Sequence, residues 1–395
     1  MFIARYPFFL LLIMTVLLLS ACGNALVQER SAIGHERKSP EVTAEVPGRS
    51  AILDLNQSSD IDTLMPALIK NRVVYIGETH DNFSHHNAQL EIITAFHAAG
   101  AELGIGMEMF QRPFQPYLDQ YIAGDITESE MLRKTEWYER WVYDYRHYRP
   151  ILNFAKEHQL PVIALNTSRE ITSQVSKQGI ESLSGEQRSQ IPTDMDYSDK
   201  AYGERLNGIF KQHGDRADRS FERFLQVQLL WDEGMAQRAA DFLVNYPEKQ
   251  LIVLAGSGHL MHGSGIPNRV KRRLPISSAI VLPGDNLNVE PAIADYIIFP
   301  PDIMLPKAGL MGIFMAQSSD GVRVSELSKA GAAEKSGIQP DDILLAIDGQ
   351  KVANTTDVRI GLLNKHPGDQ ITLDILRKGV LFGSKRISLQ LVLGE

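Results

Sequence analysis

The sequence predicts a chain of two folded parts: an α/β unit, with a parallel sheet covered by helices and a smaller helical subdomain, and then a β-rich unit at the C-terminus. Three observations predict it. Short runs at 73–76, 103–107, 161–165, 251–255 and 278–282 are apolar on successive rather than alternate positions, as strands buried on both faces are. Helical patterns separate these runs, and alternating strand and helix implies parallel pairing with helices on both faces. After Gly309 the pattern turns to alternation and tight turns, the mark of an antiparallel sheet with one wet face. At 395 residues the chain has room for two such cores.

The N-terminal 1–21 read as an export signal. Arg5 precedes an apolar run over 8–19 that ends in the small residues Ser20 and Ala21. The run is shorter than the roughly 20 residues that span a bilayer. Cys22, the one cysteine of the chain, follows at once, and a lone thiol has no internal disulfide partner. Leu19-Ser20-Ala21-Cys22 resembles the lipobox of bacterial lipoproteins. That resemblance implies a diacyl (palmitate-type) anchor at Cys22 and, because Gly23 is not Asp, an outer-membrane protein facing the periplasm. Positions 22–52 are polar, with Pro40 and Pro47, and read as a flexible tether.

The α/β unit is expected over 53–299. Its first strand ends in Gly77, Glu78 and His80, and the helix expected over 84–99 stops at Gly100, a C-cap signal. Longer amphipathic stretches at 202–212 and 221–244 suggest the helical subdomain. Ligands of open parallel sheets bind outside the carboxyl ends of the strands, so the residues after each apolar run are the ones to inspect. They are Glu78 and His80, Glu108, Asn166, and Gly256, Gly258 and His259. Two turns share the form strand-Gly-x-x-His, GETH and GSGH. Glu78, His80, Glu108 and His259 can be read as ligands of a divalent metal such as zinc or manganese. They can equally be read as general base and polarising imidazoles, or as groups that cap helices and satisfy one another. There is no HExxH helix, and His85 and His86 are adjacent, so they point apart.

A second cluster, WYERWVYDYRHYRP over 137–150, sets Tyr143, Tyr145, Tyr148 and His147 among Arg140, Arg146 and Arg149. Most such aromatic runs pack a core. Phenolate oxygen is nevertheless an axial ligand of haem iron, and guanidinium suits haem propionates.

Five separated motifs carry a family resemblance: GETHDNFSHHNAQLEII from Gly77, MEMF from Met107, Trp137 and Trp141 followed by YRPILNFAKEHQLPVIALN, QLLWDEGMA from Gln228, and LAGSGHLMHGSGIPNR from Leu254. Together they resemble the haem-binding uptake lipoproteins of the ChaN family, in the superfamily that includes the Tiki and TraB proteins and erythromycin esterases. The resemblance implies haem, bound between an α/β and a helical part with a Tyr-type axial ligand, and a pairing of haems across a homodimer. Tyr148 is taken as that ligand, with Tyr145, His147 and Arg149 beside it and Glu78, His80 and His259 at the strand ends. The Tiki branch implies a different chemistry, metal-dependent peptide hydrolysis at Glu78, His80, Glu108 and His259.

Prolines at 300, 301 and 306 mark a linker over 300–308. In 309–395, Val322, Val324 and Leu327 alternate, 343–347 reads as a strand, and Asp348-Gly349 is a hairpin signal. Pro367-Gly368-Asp369 turns the chain before Ile371, Leu373 and Ile375, which share one face. The segment from Gly321 to Val352 resembles a bacterial PDZ domain, with Gly331-Ala332 in place of the usual Ser-Pro. That likeness implies capture of a protein C-terminus by strand addition, with Met311, Gly312, Ile313 and Phe314 as the carboxylate-binding loop. The formal charge of −8, with no compensating basic block, argues against a nucleic-acid partner. The expected function is therefore haem binding with partner recruitment. A metal-dependent hydrolase and a cofactor-free envelope scaffold are the alternatives.

Overall fold

The computed structural model describes residues 59–212, 220–285, 287–379 and 383–395. The export signal, Cys22 and the tether lie outside them. No helix among the described residues is long and apolar enough to cross a membrane. The chain divides into two compact units at Ile303/Met304.

In the first unit six parallel strands, β1 (Val73–Glu78), β2 (Leu103–Gln111), β3 (Val162–Asn166), β4 (Gln250–Gly256), β5 (Ser278–Pro283) and β6 (Tyr296–Ile298), lie in the order β3-β2-β4-β1-β5-β6. The expected continuous burial is present: every residue of β1 is buried, and β2 is buried from Leu103 to Phe110. Burying one such aliphatic side chain contributes about 1.5–3 kcal/mol, so these runs hold the sheet between its helices and fix where the strand ends fall. Register then does the positioning. Gly77 lies beside Ala255 and Glu78 beside Gly256, which brings the two Gly-x-x-His turns next to each other although about 180 residues separate them.

The helices of this unit are α1 (Ile61–Leu68), α2 (Phe83–Ala98), α3 (Gln115–Ala123), α4 (Glu128–Lys134), α5 (Trp137–Arg140), α6 (Arg149–Glu157), α7 (Arg169–Gln178), α8 (Gly185–Arg188), α9 (Lys200–Gln212), α10 (Phe221–Asn245) and α11 (Ile266–Arg273). The longest, α10, serves two cores. Met235, Ala236, Ala239, Phe242 and Leu243 from its C-terminal half pack into the sheet with Val73, Tyr75, Leu251 and Val253. Val227 and Leu230, nearer its start, join Ile171, Val175, Leu183 and Ile191, and Leu229 packs with Tyr202 and Leu206 of α9. These two satellite cores form the helical part that the amphipathic stretches suggested.

The second unit is an antiparallel sheet of β7 (Ile313–Ser318), β8 (Gly321–Leu327), β9 (Ile343–Ile347), β11 (Gln370–Lys378) and β12 (Ser384–Val392), in the order β12-β11-β9-β8-β7, with β10 (Gln350–Lys351) on β9. Two helices, α12 (Ala332–Lys335) and α13 (Thr355–Leu362), accompany it. Ile371, Leu373 and Ile375 are buried together with Val322, Val324 and Ile347. Asp348 and Gly349, at φ 48° and 77°, form the hairpin between β9 and β10, with both central residues at positive φ as a type I′ turn requires. β7 is an outer strand, paired among the described residues with β8 alone.

Candidate functional site

The turn after β1 is built from its own motif. Asn82 caps α2 by accepting from the Ser84 amide at 3.0 Å. His85 Nδ1 accepts from the Thr79 amide at 2.9 Å, and its Nε2 meets Asp285 at 2.8 Å. His86 turns the other way. Its Nε2 lies 3.2 Å from the His80 carbonyl and its Nδ1 3.3 Å from Glu78 Oε2. With both ring nitrogens facing acceptors, His86 is set up to be a cation.

Glu78 is the hub of this cluster. His80 Nδ1 lies 2.8 Å from Oε1, the Tyr148 hydroxyl donates to Oε1 at 3.0 Å, and Gln89 Nε2 donates to Oε2 at 2.8 Å. Burial pushes the Glu78 carboxyl up, but His86 and His80 outweigh it and hold it well below the usual carboxylate range. Conversely, burial pulls His86 down and Glu78 more than offsets it, leaving His86 raised.

The second cluster is assembled from distant elements. Glu108 of β2 accepts the Gly256 amide at 2.8 Å through Oε2. His259, in a one-turn helix at Ser257–His259, sets Nδ1 2.6 Å from Asp232 Oδ1 of α10. The Tyr202 hydroxyl donates to the other Asp232 oxygen at 2.6 Å. Nε2 of His259 lies 3.5 Å from Glu108 Oε1 and makes no hydrogen bond. Burial would lower the His259 pKa, but Glu108 and Asp232 raise it to about 9. The two clusters meet across Gly256, where an added Cβ would stand 2.9 Å from His80 Cε1 and 3.7 Å from Glu108 Oε2. Only glycine fits between them.

Glu78, His80, Glu108 and His259 are thus brought to one edge of the sheet, yet each is only 2–3% exposed. The rim closes over them. Nor do they form a metal cage: among the described residues no group of three or more His, Cys, Asp or Glu is arranged to hold a metal ion. Both oxygens of Glu78 are already shared among four neighbours, His80, Tyr148, Gln89 and His86, and a carboxylate on Nδ1 of His80 and of His259 leaves Nε2 as the one ring nitrogen of each that could face a ligand.

The structure places the residues of the aromatic cluster as follows. Tyr148 is fully buried, its phenol held by Glu78, and burial together with that carboxylate raises its pKa well above the usual value; a phenolate ligand needs the reverse. Tyr145 is equally buried and donates to Glu128 at 3.1 Å. Arg149 is paired with the same Glu128 at 2.6 Å. His147 is buried, with Nδ1 unpartnered, and is pulled down to about 4 by burial with His86 beside it. Tyr148, Tyr145 and Arg149 are thus each engaged by a carboxylate, and Tyr143 differs from the other two tyrosines. Of the tyrosines at 143, 145 and 148 it alone is not buried, it borders the exposed Val142, and its ring stands 4.9 Å from that of His80 and 5.6 Å from that of Trp141. A phenol beside exposed apolar surface and aromatic rings is chemically suited to an iron-bearing macrocycle.

Comparison with known proteins agrees with this architecture. Residues 64–270 match the model of the family described as haem-binding uptake, Tiki superfamily, ChaN. The chain belongs to this family. Residues 309–383 match the PDZ domain model. The chloroplastic Protein RETICULATA-RELATED 5 of Arabidopsis thaliana is 22% identical over 243 residues, 54% of this chain and 31% of that protein. The Serine protease Do-like HtrB of Bacillus subtilis is 36% identical over 70 residues, 18% of this chain and 15% of the protease. The chain therefore spans less than a third of either curated relative. A solved structure described as cofacial heme binding to ChaN of Campylobacter jejuni is 18% identical, covers 60% of this chain and 91% of its own, and superposes with a TM-score of 0.49. As a ChaN-family member this chain carries a haem-binding type of domain followed by a PDZ domain.

Asp232 and Tyr202 were missed by sequence reasoning, whereas Tyr143 was named in the aromatic run without being singled out. Asp232 had a signal, since an acid inside QLLWDEGMA interrupts an apolar stretch of α10. Its pairing with His259 joins positions 27 residues apart and leaves no local pattern.

Proposed function

We propose that this chain is an outer-membrane lipoprotein, anchored through diacylated Cys22 and facing the periplasm, that binds haem for iron acquisition or storage and recruits a protein partner through its PDZ domain. The observation that carries the haem reading is the accessible Tyr143 at the carboxyl edge of a ChaN-family domain. When bound, haem would supply an iron centre that a phenolate oxygen can hold. This chain would supply the rest: Tyr143 the ligand oxygen, Val142 exposed apolar surface beside it, and the buried Trp141 together with His80, held by Glu78, the rings that pack against Tyr143. Titration of the full chain with haemin should give a Soret shift that saturates at fixed stoichiometry. Tyr143→Phe should weaken it at least about tenfold, while Tyr145→Phe should leave it near wild type. A wild type with no saturable Soret band would end the reading, and sedimentation with and without haemin reports whether two copies pair.

Support for the partner reading comes from β7. Its open edge leaves backbone groups for an added strand, and α13 packs alongside. Met311 is buried and its carbonyl accepts the Ala333 amide, while Gly312, at φ 73°, accepts from Ser328; this fixes the loop that leads into Ile313 and Phe314. A library of peptides with free C-termini tests it, and binding that survives C-terminal amidation would contradict carboxylate capture. The hydrolase alternative has less behind it, because its four residues are only 2–3% exposed.

A further inference from the structure

A cavity of about 350 Å³ opens beyond the ends of β2 and β3, and Glu78, His80, Glu108, Tyr143 and His259 are not among its lining residues. Its lining includes Arg112, Thr167, Ser168, Ser189, Gln190 and Gln237, and no acidic residue. Arg112 is the notable member. Its guanidinium donates to Leu165 O and Gln237 Oε1, each at 3.4 Å, and to the Gly234 carbonyl. All three acceptors are neutral, and among the described residues no carboxylate forms an ion pair with it. A half-buried guanidinium without a counter-ion is costly. Burial, with Arg238 nearby, pulls Arg112 down to about 10 although Asp241 of α10 acts in the opposite direction from beyond ion-pair distance.

Other features reinforce the local positive field. Arg238 has no ion-pair partner among the described residues; its Nη2 donates to Gln115 Oε1 at 3.2 Å and its Nε makes no hydrogen bond. The ten-residue α7 starts in the cavity wall at Ser168, whose side chain makes no capping bond, so the positive end of a helix faces the same space. The chain also makes room for Arg112 to lie there. At Gly234 of α10, an added Cβ would stand 2.4 Å from Thr167 Oγ1 and 3.4 Å from Arg112 Nη2. A larger residue would force Thr167 and Arg112 away from the helix.

We propose that this cavity binds a small organic anion, whose carboxylate or phosphate pairs with Arg112 at the mouth of α7. The volume, at the low end for small-molecule sites, suits a metabolite-sized ligand. The site goes beyond the haem reading and does not depend on Tyr143.

The test uses the full chain and two probes, inorganic phosphate and citrate, each followed by titration calorimetry and by the thermal midpoint. Saturable binding at one per chain is expected, and the tighter probe identifies the head group. Arg112→Gln should weaken the preferred probe at least about tenfold, because a charge-assisted pair is lost. Gln190→Glu, an exposed rim substitution that leaves the core intact, should do the same by placing a negative charge at the mouth. Tyr143→Phe should bind the probe as wild type does. Absence of binding for both probes, equal affinity in wild type and Gln190→Glu, or loss in Tyr143→Phe would each overturn the assignment.

Discussion

GETH and GSGH are the same turn on paper and different devices in the fold. The first is finished by its own neighbourhood: Glu78 is held by His80, His86 and Gln89, all within eleven residues, and Tyr148 closes the set. The second is finished from afar, by Asp232 of α10 and Glu108 of β2, and it leaves His259 Nε2 without a hydrogen bond. A strand-Gly-x-x-His pattern thus fixes where a histidine sits and says little about what it can do. One turn is a lock that stabilises the edge. The other keeps a charged imidazole in reserve.

The largest expected effect tests the lock. Glu78→Gln removes the one negative charge facing His86 and leaves that imidazole buried without its counter-ion, which should cost about 3–5 kcal/mol in denaturant unfolding of the first unit. A loss under about 1 kcal/mol would mean that the cluster contributes little to the fold.

The second effect separates the two turns by pH. His259 is raised to about 9 in the folded chain, against about 6.5 unfolded. Its stabilisation is therefore fully present below pH 6.5 and is lost as pH rises through 9, up to about 3 kcal/mol in all. Denaturant midpoints of wild type should fall across that window, and His259→Gln should flatten the slope. Glu78, whose carboxyl is depressed, acts in the opposite sense: its contribution is present above the ordinary carboxylate pKa and is lost only in acid. A wild-type profile that is flat between pH 6.5 and 9 would remove the distinction drawn between the turns.

What the sequence made legible follows the same division between local and distant. Successive apolar positions in Val73–Glu78 and Leu103–Gln111 gave the parallel sheet because burial on both faces is a property of the run itself. The convergence of Glu78 and Glu108 could also be foreseen, since parallel strands end on one edge. Whether Tyr143 or Tyr148 reaches the surface could not. The two lie five positions apart in a short irregular stretch around Tyr145–His147, where neither helical nor strand periodicity assigns a face. Arg112 was invisible for another reason: an arginine after a strand looks like a solvated charge until α10 is seen to cover it with neutral acceptors.

A third turn sharpens the comparison at the smallest scale. In Asp348-Gly349 the sequence signal, the backbone conformation and the pairing of β9 with β10 are all local. Gly349→Ala puts a Cβ on a residue at φ 77°, where nothing crowds it, so the cost is backbone strain alone. It should be about 1 kcal/mol, confined to the second unit. Peptide binding at β7 should be unchanged, because the hairpin lies on β9, with β8 between it and that edge. A substantially larger loss would mean that the hairpin depends on contacts beyond its own residues, and that local completeness does not separate it from the turn carrying His259.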